Sequence, residues 1–355
     1  MSRPVQVMVV DDSAVVRGLL VSALSNDPGI NVVATAMHGE AALKQLRGQS
    51  IDVVLLDVEM PVMDGLTALP RILAEYPDVR VVMVSSLTQS GAASTVRALA
   101  LGAAGCIAKP ATGSIAQAME QLTAELVPLV KALGRPEERR TEPTPQAPRA
   151  PVVRSPAARH IAPQVIVIGS STGGPNALST LFKDLSPDVS QPILIVQHMP
   201  ATFTTMLAKH LEKDSGRPCQ EAVSGGVVER GRIYVAPGDF HMVVEAKDRG
   251  EKVVRLTKTP PENFCRPSVD PMLRSLAQIY GARVLTLILT GMGHDGLNGG
   301  RAVVNGGGTM VAQDEATSVV WGMPGAVATA GLCSAVLALD EIAPGIAKLA
   351  ARAAR

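Results

Sequence analysis

Aromatic side chains are scarce in this sequence: Phe, Tyr and Trp together make up 2% of its 355 residues. That argues against the stacking platforms on which proteins hold single-stranded nucleic acid. An excess of charge is also missing, with 33 Lys and Arg against 32 Asp and Glu. A net charge of +1 offers a polyanion nothing to grip, so no nucleic-acid partner is expected. Cysteine is sparse too. Cys106, Cys219, Cys265 and Cys333 form no C-x-x-C pair, which points away from zinc ribbons and disulfide frameworks and towards reduced thiols. No apolar run reaches the ~18 residues that suggest a membrane span. The opening MSRPVQVMVVDD lacks the apolar stretch of a secretory signal. A cytoplasmic protein without membrane insertion is expected.

Aliphatic residues are plentiful instead, and hydrophobic residues reach 46%. The chain is about twice the usual ~100–200 residues per domain, so two domains are expected. Over the first part, apolar strand-like runs alternate with helix-like segments. Strands are expected at 5–10, 30–36, 53–57, 79–85 and 105–109, each followed by a helix. Strands apolar on both faces belong to a parallel sheet covered by helices on both sides. Residues 134–163 then turn Pro-rich and charged with no hydrophobic period, the composition of an exposed flexible linker. Alternation restarts at 164, with strands at 165–169, 193–197, 284–290 and 309–313 and a turn-rich β stretch over 220–257. The expected fold is α/β throughout. An N-terminal (βα)5 domain with a doubly wound parallel sheet (1–133) is linked to a second α/β domain (164–355). The second has a mostly parallel sheet and a small antiparallel portion.

In an open parallel sheet the ligand crevice lies at the carboxyl ends of the strands. Asp11 and Asp12 follow the first strand, Asp57 ends the third, Ser85 the fourth and Lys109 the fifth, before Pro110. Three carboxylates, a hydroxyl and an ammonium therefore converge on one edge. Hard oxygen ligands of this kind suit Mg²⁺, which keeps water and partners a phosphate. Asp57 is the candidate nucleophile, since a carboxylate can form an aspartyl phosphate. A capping role for Asp12 and Ser13 and a solvated Lys109 is the structural alternative.

These segments, MVVDDSAVVR, VVLLDVEMPVMDGL, VVMVSS and KP, resemble a response-regulator receiver domain. The resemblance implies phosphorylation of Asp57 by a partner histidine kinase. It implies Mg²⁺ held by Asp12, Asp57 and the backbone carbonyl of Glu59, with Asp11 acting through water. Lys109 would contact the phosphoryl group, and Ser85 would be the switch hydroxyl. Receivers usually carry an aromatic residue three positions before that lysine; here the position is Cys106.

In the second domain, GSSTGG (169–174) follows a strand and precedes a helix. Residues 169–173 fit the G-x-S-x-G elbow that lifts a nucleophilic serine, Ser171, above the sheet edge. A Gly-rich phosphate loop is the alternative, although G-x-G-x-x-G is absent and no acidic residue ends the next strand. A serine nucleophile needs a base and an orienting carboxylate. Two histidines lie near this edge, His198 after ILIVQ and His294 after VLTLILTGMG. Spacing does not choose between them. His198 is favoured only because Asp295 cannot easily orient its own neighbour, and Asp295 could equally cap the following helix.

GSSTGG, VQHMP, GRIYVAPGDFHM, RPSVD, TGMGHDG and GGGTMVAQDEATSVVWGMP, together with the receiver, resemble the chemotaxis protein-glutamate methylesterase family. The resemblance implies Ser171 as nucleophile, His198 as base and Asp295 as the third member. It leaves His294 as a local neighbour, with the backbone N–H groups of Thr172 and Met292 near the oxyanion. It implies demethylation of methylglutamates and deamidation of glutamines on chemoreceptors, without a cofactor for the ester reaction. The resting receiver would cover the catalytic edge and release it on phosphorylation. A receiver with a non-catalytic ligand-binding output is the rival reading.

Overall fold

The structure is a computed structural model that describes residues 3–86, 88–109, 115–134 and 161–351. The chain divides into two compact units, Met1–Pro143 and Thr144–Arg355, with the division inside the expected linker. Of that linker, 135–160 lie outside the described residues, as does Pro110.

In the first unit β1 (Val5–Val10), β2 (Ile30–Ala36), β3 (Val53–Asp57), β4 (Arg80–Ser85) and β5 (Gly105–Ala108) form one sheet in the order β2-β1-β3-β4-β5. Every pairing in it is parallel. Helices α1 (Ala14–Ser25), α2 (Gly39–Leu46), α3 (Gly65–Glu75), α4 (Gln89–Ala100) and α5 (Ile115–Leu133) follow the strands in turn. All five residues of VVLLD are buried, as a strand covered on both faces requires. The strand order reverses between β1 and β3, and the chain places Asp11, Asp12 and Asp57 at that switch point.

The second unit contains β6 (Val165–Ser170), β7 (Ile193–Gln197), β8 (Cys219–Glu221), β9 (Ile233–Val235), β12 (Val284–Ile288), β13 (Thr309–Gln313) and β14 (Ala335–Leu337). They form a seven-stranded sheet in the order β14-β13-β12-β6-β7-β9-β8. All its pairings are parallel. The antiparallel portion is a separate hairpin of β10 (His241–Ala246) and β11 (Lys252–Thr257). Helices α6 (Gly174–Lys183), α7 (Ala201–Ser215), α8 (Val269–Tyr280), α9 (Leu297–Asn305), α10 (Met323–Thr329) and α11 (Leu339–Ala351) complete the unit.

The strand expected over 284–290 stops at Ile288. Leu289 and Thr290 stay hydrogen-bonded to the end of β6, through Leu289 N to Gly169 O at 2.9 Å and Ser171 N to Thr290 O at 3.0 Å, while the Thr290 hydroxyl meets the carbonyls of Thr172 and Val320 at 2.9 and 3.2 Å. The Thr290 backbone N–H meets Gln313 Oε1 at 2.9 Å. β14 was not expected; three residues with no clear alternation carry little signal. In this sheet the order reverses between β12 and β6, and the ends of β6, β7 and β12 form the edge where Ser171, His198 and Asp295 stand.

Candidate active site and phosphoacceptor site

Ser171 leaves β6 in a turn fixed from three sides. Its N–H donates to Thr290 O at 3.0 Å, and its carbonyl accepts from Gly174 N at 2.8 Å and from Gln197 Nε2 at 2.8 Å. Gly173 has φ +77°, a left-handed conformation, and a Cβ there would strike Val319 at 2.6 Å. Gln197 ends β7 and also accepts from Ser170 Oγ at 2.7 Å, so β7 pins the elbow while carrying the next residue, His198. On the other side, a Cβ at Gly291 would lie 2.8 Å from Ser171 Cβ. The Gly291–Met292 backbone therefore runs beside the serine. Among the described residues, the backbone N–H groups of Thr172 and Met292 donate to no protein acceptor.

His198 Nε2 is 2.8 Å from Asp295 Oδ2. Asp295 is buried and surrounded by donors: Val269 N at 2.7 Å on Oδ2, and Ser268 Oγ, Asn263 Nδ2 and Gly296 N at 2.7, 2.9 and 2.9 Å on Oδ1. Burial alone would push its carboxyl up, but His198 and these donors outweigh it and hold the group below the ordinary carboxylate range. Burial likewise opposes charge on His198, and the contacts to Asp295 and Cys265 override it and hold the ring above the usual imidazole range. His198 is 12% exposed at its side chain, so one edge of the ring is accessible.

His294 is exposed and takes no part in this cluster. Nor does Asp295 cap α9. That role falls to Asp270, whose Oδ1 accepts from Gly296 N at 3.1 Å and Gly299 N at 2.6 Å. Sequence reasoning gave no site role to Asn263, Cys265, Ser268 or Asp270, although the last two lie in RPSVD. Their signal was a dense run of polar residues, NFCRPSVD, within a loop entering a helix. His241 is fully buried; its Nδ1 accepts from Ser268 N and its Nε2 donates to Pro260 O, both at 3.1 Å. With both nitrogens engaged it braces the loop.

In the first unit, Lys109 Nζ lies 2.9 Å from Asp11 Oδ2 and 2.8 Å from Asp57 Oδ2. Burial, opposed by Lys109 and reinforced by Asp11, pushes the Asp57 carboxyl up to about 6. Ser85 is buried, with its hydroxyl directed at Gly91 O (3.2 Å) and Ser86 O (3.3 Å). Asp64 caps α3 through Thr67 N at 2.7 Å. Gly65 follows it because a Cβ there would meet Asp57 O at 2.1 Å. Cys106 lies on β5, and burial pushes its thiol up to about 12.

Carboxylate oxygens of Asp11, Asp12 and Asp57 lie within 4.8 Å of one another. Asp11 Oδ2 and Asp57 Oδ2 are buried and receive no well-directed hydrogen bond, and the Lys109 charge faces both. Buried oxygens in need of a cation fit Mg²⁺. The Glu59 side chain is exposed.

Residues 166–346 match the CheB methylesterase family. The chain belongs to that family. Its first unit is a response regulator receiver domain, matched over residues 7–120. A protein-glutamate methylesterase/protein-glutamine glutaminase of Paramagnetospirillum magneticum is 53% identical, over 98% of this chain and 97% of its own. One of the same name from Azospirillum brasilense is also 53% identical, over 99% and 94%. The crystal structure of the Thermotoga maritima CheB methylesterase catalytic domain is 40% identical with a TM-score of 0.52, covering 53% of this chain and all of that one. Among the described residues, no helix is long and apolar enough to cross a membrane.

Proposed function

We propose that this CheB-family chain is a cytoplasmic, phosphorylation-regulated serine hydrolase that demethylates methylglutamates and deamidates glutamines on chemoreceptors. The observation that carries the reading is the His198–Asp295 pair at 2.8 Å on the strand edge that also carries the Ser171 elbow. Ser171 Oγ attacks the side-chain carbonyl carbon of the methylated glutamate, and His198 takes the hydroxyl proton at Nδ1, the nitrogen Asp295 leaves free. The Thr172 and Met292 N–H groups receive the oxyanion. The proton passes from His198 to departing methanol. Water, deprotonated by the same nitrogen, then attacks the acyl-enzyme and releases glutamate and Ser171. A glutamine side chain follows the same path and releases ammonia.

Asp57 is the phosphoacceptor, and a histidine kinase is the donor. Asp11, Asp12, Asp57 and the Glu59 carbonyl would hold Mg²⁺, which offsets the charge of the incoming phosphoryl group when bound. Lys109 stands against Asp57 to contact that group, and Ser85 is the hydroxyl that turns towards it. A ligand shifts such a switch only by its preference for one state over the other. The test is methanol release from methylated receptor, before and after treatment with a small phosphodonor. Release that rises on phosphorylation supports the reading; a chain that releases none contradicts it.

A further inference from the structure

The His198 ring has two nitrogens and, in this structure, two partners. Nε2 meets Asp295 Oδ2, and Nδ1 lies 3.5 Å from Cys265 Sγ, within reach of an S–H···N hydrogen bond. Asp295, held ionised by its donors, takes the proton-bearing Nε2. Nδ1 is then the one basic nitrogen, and a thiol already stands at it. A serine that uses His198 as its base must use the same atom.

The sulfur is held there by construction. Glu262 and Cys265 exchange two backbone hydrogen bonds, at 3.2 and 2.9 Å, across a turn. Its central residues, Asn263 and Phe264, have φ +53° and +63°, as a type I′ turn demands. The Asn263 amide donates to Asp295 Oδ1 at 2.9 Å and to Asp270 Oδ2 at 3.0 Å, tying the turn to the carboxylate that orients the ring. Cys265 is half-buried.

We propose that Cys265 is a positioning residue of the esterase reaction: its thiol and His198 Nδ1 share one proton in the resting enzyme, and Ser171 gains its base only when the sulfur yields that nitrogen. The inference rests on the hydrolase reading above. The step conserves atoms and charge. With the proton on Nδ1, the pair is thiolate and imidazolium, and the Ser171 O–H finds no acceptor. When the proton returns to sulfur, the imidazole is neutral. The serine then displaces S–H at Nδ1 and gives up its own proton there as its oxygen bonds the ester carbon. The ionisable groups around the ring are Asp295 from the loop before α9, Cys265 from the 262–265 turn and, behind Asp295, Asp270 of α8. Arg274 of α8 is engaged with Glu262 at 2.6 Å.

The experiment compares wild type, Cys265→Ser and Cys265→Ala by the pH dependence of kcat/KM for methanol release, and by ¹⁵N NMR titration of the His198 ring. Serine keeps the size and hydrogen bond of the side chain but does not become an anion. Both variants should move the acidic limb and the Nδ1 titration down by about one pH unit, making them about tenfold faster than wild type on that limb. Midpoints that stay in place in both variants overturn the proposal. So does lost activity restored by serine with an unmoved midpoint, which would mark Cys265 as packing alone. Should wild type release no methanol while the NMR titration still moves, the hydrolase reading fails and the shared proton stands.

Discussion

Asp270 caps the helix that follows Asp295, and Asp295 is thereby free to hold His198. Gly299 N donates to Asp270 Oδ1 at 2.6 Å, while Asp295 Oδ2 is 2.8 Å from His198 Nε2. Two adjacent buried carboxylates thus divide the helix cap and the contact to His198, with the Asn263 amide between them.

That division ranks the histidines. His198→Ala should lower kcat/KM for methanol release by about 10³-fold or more, whereas His294→Ala should stay within about threefold of wild type, as expected of an exposed side chain outside the cluster. Steady-state assays of the two variants check this, and the opposite ranking would move the base to His294.

Asn263 should be costly to replace in two separable ways. Its left-handed backbone disfavours Ala by about 1–2 kcal/mol, and its amide serves two buried carboxylates. Asn263→Gly removes only the amide contribution. Denaturant unfolding should show both variants destabilised, with Asn263→Ala lower than Asn263→Gly by about 1 kcal/mol. Equal stabilities would contradict the strain assigned to the turn.

Asp57→Asn should stabilise the receiver at neutral pH. The carboxyl rises from 3.8 to about 6 on folding, so the folded state favours the protonated form. Stability from this group is full below its unfolded value and is lost as pH rises through about 6. Replacing the buried anion should therefore raise stability at pH 7, without divalent cation, by about 1–3 kcal/mol. The gain should shrink towards pH 4. Thermal melts at both pH values check the sign, and a lower melting temperature for Asp57→Asn at pH 7 would contradict it. The same variant should accept no phosphoryl group from a small phosphodonor.

Regulation is tested by a fragment beginning at Pro163. Pro163 lies in the second compact unit, just before the family match begins at residue 166. If the unphosphorylated receiver restrains the esterase, the fragment should be about 5–150-fold faster than the untreated full-length chain, the span of a usual coupling energy. Phosphodonor treatment should recover part of that difference, and Asp57→Asn should block the recovery. A fragment no faster than the untreated chain would leave the receiver to act by activation or by docking on the receptor.

The alternation of apolar runs made both parallel sheets legible, because strands buried on both faces, such as VVLLD and VIVIGS, read as continuous hydrophobic segments. Strand ends then collected the carboxylates of the receiver and the serine elbow with no knowledge of side-chain contacts. The choice between His198 and His294, and between cap and triad for Asp295, was not legible. Both depended on Asp270, 25 positions away, supplying the cap. The 262–265 turn stayed hidden for the same reason: Asn263 and Cys265 gain meaning only when the chain folds back against Asp295 and His198. The end of β12 at Ile288 was missed because Leu289 and Thr290 continue its apolar and β-branched pattern, while the Thr290 N–H turns to the Gln313 side chain.

The central claim is that Ser171 is the nucleophile of a methylesterase. The most direct test is the initial rate of methanol release from receptor carrying labelled methyl esters, by wild type and by Ser171→Ala at equal concentration and matched melting temperature. The account predicts that the variant falls at least about 10³-fold. A variant within tenfold of wild type would contradict it.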